Sequence, residues 1–175
     1  MVWIDLWWLM MEKYVFFDTD IDGNEEYDIR GEAYKTLIRT CCEHSAVLYL
    51  KYTQPNLPIA DQLKKYEINK PSNIPNDTVI YGPYCERHYF KVCPELCEIL
   101  LNATEGIFEW LNGWGFQNPD DPTFYREDGS VFFASEIHNG LCVLIPNNGE
   151  NVEELLRAAT WEIADETQRY PSLIW

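Results

Sequence analysis

The chain has 175 residues, 46% hydrophobic and 15% aromatic, which is enough to bury a full core and too apolar for an intrinsically disordered protein. Its 29 acidic residues stand against 13 lysines and arginines, a formal charge of -16. That balance argues against direct binding to nucleic-acid phosphates or an anionic membrane and points to basic protein surfaces.

The first ten residues, MVWIDLWWLM, form an apolar run that is too short to span a bilayer and is interrupted by Asp5. With no basic n-region or small-residue cleavage site, they read as an N-terminal extension, residues 1–10, ahead of a single domain over residues 11–175. Six cysteines without an export signal imply reduced thiols and a cytoplasmic location. Tyr14 to Asp18 reads as a buried strand ending in the acidic stretch DTDIDGNEE. Ala33, Tyr34, Leu37, Ile38 and Cys41 then recur at helical spacing, which predicts a helix over residues 31–44. AVLYLKYT, residues 46–53, reads as the next strand, giving a strand–helix–strand order open to parallel or antiparallel pairing.

Residues 54–77 are rich in proline and polar residues and read as a long connection with a turn or two of helix near Asp61 to Tyr66. TVIYGPYCERHYFKV predicts two short strands about Gly82-Pro83. Pro94 suits the first turn of a helix running to Leu111, ended by NGWG. The turns Asp128-Gly129 and Asn139-Gly140 predict a three-stranded meander over residues 124–145, with Arg126 opposite Val131 and Ile137 opposite Cys142. Val131, Phe133, Ser135 and Ile137 would then share one face, and Phe132, Ala134, Glu136 and His138 the other. A last helix is expected over residues 151–168, with Val152, Leu155, Leu156, Ala159 and Ile163 as its stripe. The fold class is therefore α+β: a mostly antiparallel sheet that includes the C-terminal meander, with about three helices packed on it.

Several constellations invite chemistry. Asp18, Asp20, Asp22 and Gly23 resemble the first half of an EF-hand-type calcium loop, but Glu25 stands where an apolar residue is needed and Ile29 where a bidentate Glu is needed. An apolar strand followed by Asp-x-Asp also resembles the nucleophile motif of haloacid-dehalogenase-type phosphatases. That resemblance implies a distal acidic pair, and the only adjacent aspartates, Asp120 and Asp121, have no apolar strand ahead of them. Cys85, His88, Cys93 and Cys97 are of zinc-ligand type, at a spacing that is not a usual one, and read as strand and core residues. Glu136 and His138 share a strand face and could perform acid–base work under a covering cleft.

The reading these residues favour is a non-catalytic, acidic binding protein of the inhibitor, immunity or antitoxin type, with no metal or cofactor. Its partner would be a protein with a basic surface, such as a toxin or a nucleic-acid-processing enzyme. The contact face is expected to combine Asp18, Asp20 and Asp22 with Asp120 and Asp121, read as a proline-flanked loop, and to use Trp114 or Phe116 as an apolar anchor. The alternatives are a small metal-dependent hydrolase working through the Asp18-Asp20-Asp22 loop or Glu136 and His138, and a structural subunit of a larger assembly.

Overall fold

The computed structural model describes residues 12–17, 29–75, 85–113 and 115–164. The N-terminal extension, the acidic stretch after Phe17, the strand expected before Gly82-Pro83, Trp114 and the chain from residue 165 onward lie outside the described residues. Within them the elements run β1 (Tyr14–Phe17), α1 (Glu32–His44), β2 (Val47–Tyr52), α2 (Ala60–Leu63), β3 (Glu67–Ile68), β4 (Glu86–Lys91) and α3 (Pro94–Leu101). Then come β5 (Asn112–Gly113), β6 (Phe116–Gln117), β7 (Asp120–Tyr125), β8 (Val131–Glu136), β9 (Leu141–Leu144), α4 (Glu153–Ala158) and β10 (Glu162–Ile163).

Eight of these strands form one sheet in the order β10-β1-β9-β8-β7-β2-β4-β3, while β5 and β6 make a separate hairpin. Every pairing in the large sheet is antiparallel. β1 and β2 consequently point the same way although three strands separate them, and α1 carries the chain across the gap. The meander β7-β8-β9 fills that gap. The fold is α+β, as the sequence pattern requires.

The strand alternation sorts the core. Phe16, Leu48, Leu50, Phe90, Phe124, Phe133 and Leu144 face Tyr34, Leu37, Ile38 and Cys41 of α1, Leu96 and Leu100 of α3 and Leu155 of α4. Each fully buried large side chain contributes about 1.5–3 kcal/mol relative to exposure. On the opposite face Val15, Leu141, Val143 and Ile145 form one smaller cluster, and Val47, Tyr49 and Tyr89 pack with Ile74 in another.

Three expected elements are corrected. The helix from Pro94 stops at Leu101, not Leu111, because the next stretch is taken up by backbone pairing: Gly31 N–H donates to Glu105 O at 2.8 Å and Ile107 N–H to Ile29 O at 3.1 Å. Ile107 and Leu111 still reach the core, from a 3-10 turn and the coil after it. The C-terminal helix covers Glu153–Ala158 only, since the chain then extends to pair Ile163 with Tyr14, leaving Ile163 exposed.

Both meander turns are longer than two residues. Arg126 N–H donates to Ser130 O at 2.8 Å and Gly129 N–H to Arg126 O at 3.0 Å, a three-residue loop with Gly129 at φ 85. A Cβ at Gly129 would lie 2.4 Å from the Asn73 carbonyl oxygen, so the position admits only glycine on two counts. Val131 therefore pairs Tyr125 in place of Arg126, and the irregularity beside it moves Val131 off the Phe133 face. At the second turn Ser135, not Ile137, lies opposite Cys142, because Ile137–Asn139 turns as a 3-10 segment before Gly140 at φ 62.

Candidate functional site

The end of the sheet where β2, β8 and β1 finish and β7 and β9 begin gathers the polar residues that the sequence singles out. Asp120 and Asp121 open β7 and are 1% and 6% exposed, so the expectation of a solvent-facing loop at this pair is corrected. Long-range partners override the local turn chemistry of NPDDP. Asp121 sits at φ 55, a backbone region that aspartate tolerates better than most residues. In that pose its Oδ1 accepts the Ile137 N–H at 2.9 Å while its Oδ2 pairs with the Lys51 ammonium. The same bond takes Ile137 out of the ladder and shortens β8.

Asp120 looks the other way, toward the hairpin. Its Oδ1 accepts the Asn112 N–H at 2.6 Å, and its Oδ2 lies 3.3 Å from His138 Nε2. Asn112 also accepts from Gln54 Nε2 at 2.7 Å and donates to Thr53 Oγ1 at 3.2 Å. Asp120 thus fastens β5–β6 to the sheet, and that hairpin carries the exposed ring of Phe116.

Electrostatically the corner has more acid than it can neutralise. Burial pushes the Asp120 carboxyl up and the neighbouring Asp121 adds to this, against the opposing hydrogen bonds from Asn112 N–H and His138. Burial opposes the charge on Lys51, but Asp121 and then Asp120 outweigh it and hold the ammonium above its usual range. Glu136, one strand over from Asp121, is 8% exposed and its Oε2 has no hydrogen-bond partner. His138 is half-exposed and turns to Asp120. The Ser135 hydroxyl is fully buried and donates to Pro122 O at 2.9 Å, so it is not poised as a nucleophile for the His138–Asp120 pair.

The zinc-type residues disperse. His88 lies on β4 with Nδ1 2.6 Å from Glu67 Oε1 and its ring 4.0 Å from that of Tyr52, whose phenol is pushed up to about 12 by burial and then by the Glu67 charge. Cys93 caps α3 and Cys97 lies within it. None of the six cysteines is in a disulfide, and among the described residues no three His, Cys, Asp or Glu side chains are grouped to hold a metal ion. No described helix is long and apolar enough to cross a membrane.

Lys51 and Asn112 are the members of this site that the sequence reading misses. A lone lysine inside the apolar strand AVLYLKYT was the available signal, since a buried ammonium needs a carboxylate. Comparison with protein-family models, with curated proteins and with solved structures finds no match.

Proposed function

We propose that this chain is an acidic, non-catalytic binding protein of the inhibitor, immunity or antitoxin type, acting in the cytoplasm by covering a basic surface of a protein partner. The observation that carries this reading is where the charge goes. Arg30, Lys35, Lys51, Arg126 and Arg157 each pair with an acid of the same chain. Exposed carboxylates such as Glu43, Asp61, Glu98, Glu105, Glu154 and Glu162 carry much of the excess outward.

The contact face in this reading is the sheet end just described. Phe17, the last residue before Asp18, Asp20 and Asp22, pairs Leu141 at that end, next to the Glu136–Leu141 pair. In this reading the acidic residues that follow Phe17 act together with the anchored β5–β6 hairpin and its exposed Phe116. Asp120 and Asp121 have a supporting part here: Asp120 holds the hairpin in place, Asp121 holds Lys51 and the end of β8, and neither meets the partner itself.

The test is a capture experiment followed by kinetics. A basic protein retained by the immobilised chain at low salt should associate more slowly as salt rises, and Phe116→Ala should mainly speed its release. Changing Asp18, Asp20 and Asp22 together to Asn should slow association, whereas Asp120→Asn should leave it alone. Equal kinetics for the parent and the triple variant at low salt would remove the acidic stretch from the contact. Substrate turnover lost on Asp18→Asn would favour the hydrolase instead.

A further inference from the structure

Glu136 is a buried acid that the fold leaves without a base. It is the last residue of β8, 8% exposed, and its Oε2 is enclosed with no hydrogen-bond partner. An enclosed carboxylate oxygen without a donor is a standing cost, and in a native protein such a group calls for a ligand or a functional role. Three contacts fix where it stands. Ser135 before it donates its hydroxyl to Pro122 O at 2.9 Å, Ile137 after it donates its N–H to Asp121 Oδ1 at 2.9 Å, and Glu136 itself pairs Leu141 of β9. Glu136 is thereby held beside the start of β7, on the sheet face that carries Leu141 and Val143 and is turned away from the helices.

The bases of this corner serve other acids. Lys51, which shares that face with Val47 and Tyr49, gives its ammonium to Asp121, and His138 turns to Asp120 with Nε2 3.3 Å from Oδ2. Among the described residues no lysine, arginine or histidine pairs with Glu136. What would complete it follows from its burial. The small remaining exposure admits a slender arm with a charged end and excludes a broad surface contact. Arginine supplies such an arm, apolar enough to lie against neighbours such as Leu141, and its planar fork of N–H donors matches both oxygens of a carboxylate. Lysine brings a point charge without the fork.

We infer that Glu136 is a socket for a single arginine side chain of the partner protein. The inference rests on the reading of the chain as an acidic binding protein and names the point at which the partner's basic surface is gripped. The guanidinium donates to Oε1 and Oε2 of Glu136, in apolar surroundings that strengthen the pair. Asp120 and Asp121, two acids against the one charge of Lys51, add attraction from the next strand without touching the ligand. The socket accounts for a local rule broken at one position: the free protein carries an unpaired acid that the complex neutralises.

The probe is a capped five-residue peptide with one central arginine between glycines and alanines, titrated into the isotope-labelled full chain. Peptides with lysine or citrulline at the centre run in parallel, citrulline having the shape of arginine without its charge. The amide signals of Glu136, Ile137 and Leu141 should shift saturably with the arginine peptide, less with lysine and not with citrulline. Glu136→Gln should weaken the arginine peptide about tenfold or more, the loss of one charge-assisted pair. No shift at these amides, equal shifts with citrulline, or parent affinity in Glu136→Gln would overturn the socket. A second readout needs no ligand. Glu136→Met removes an unpaired buried acid at similar volume, so the urea midpoint of the free chain should rise. A lower midpoint would mean that the carboxylate is satisfied within the fold, which also overturns the socket. The wider reading fails separately: a basic partner retained equally by Glu136→Gln and the parent sinks the socket alone, whereas retention that ignores salt sinks the acidic-surface reading.

Discussion

Arg126 and Lys51 are both cations that the sheet removes from water, yet their surroundings differ. Arg126 is 8% exposed, and its guanidinium donates to Glu150 Oε1 and Oε2, Val131 O, Ile145 O and Ser130 Oγ, which occupies all five N–H groups with one acid for one base. The ion also lies over the Phe132 ring at 5.2 Å. Lys51 faces two aspartates with one charge, and Glu136 beyond them keeps an unpartnered oxygen. The first cluster is complete and ties the β7–β8 turn to the segment after β9. The second is left with surplus carboxylate, at the sheet end where β1 finishes at Phe17. A local polar rule kept in one place and broken in the other marks the broken one as the place to look for function.

The largest expected effect tests the complete cluster. Arg126→Met keeps the packing over Phe132 but strands the Glu150 carboxylate and the carbonyls of Val131 and Ile145. Breaking one side of a buried, hydrogen-bonded pair costs about 3–5 kcal/mol. Urea unfolding at neutral pH should show the midpoint falling accordingly with little change in slope. A loss below about 1 kcal/mol would mean that Glu150 finds water at no cost and that the cluster is not a buried anchor.

At the Lys51 corner the two aspartates should respond differently although they are adjacent in sequence. Asp121→Asn removes the partner of a mostly buried ammonium, and the expected cost is roughly 2–3 kcal/mol. Asp120→Asn retains an oxygen for the Asn112 N–H and removes a carboxylate that burial disfavours, so stability should stay within about 1 kcal/mol of the parent. Equal losses for both in the same unfolding assay would show that the corner is balanced like the Arg126 cluster and would end the contrast.

What the sequence made legible, and what it hid, follows the range of the forces. The α1 stripe of Tyr34, Leu37, Ile38 and Cys41 was readable because helical periodicity is local, and each of these residues is buried as expected. The end of α3 was not, since it is set by backbone bonds to residues 29–31 far upstream. The pair Asp120-Asp121 sits in a string whose local chemistry says turn, and it becomes strand because Lys51, 70 residues before Asp121, supplies the countercharge. Arg126 and Glu150 are likewise ordinary surface residues until the meander folds them together. Of the expected contact residues, Phe116 alone is both described and exposed, at 36%.

The smallest effect separates the clusters by the sign of their proton linkage. Burial raises the Glu150 carboxyl, but hydrogen bonds from Arg126 and the Asn147 N–H outweigh it and hold it below the usual range. Glu150 therefore contributes stability that is present above its unfolded value and lost as pH falls through the folded one. Asp120 is raised in the fold, so its contribution is present below its unfolded value and lost as pH rises through the folded one. Each site can change the slope of stability against pH by at most about 1.4 kcal/mol per pH unit, one proton's worth. Removing Asp120 as Asp120→Asn should make stability climb more steeply between about pH 3 and 5, and removing Glu150 as Glu150→Gln should flatten the climb. Urea midpoints taken across that window read both slopes directly. Slopes that move in the same direction in the two variants would mean that the corner and the anchor titrate alike, and that Asp120 carries no excess charge in the folded protein.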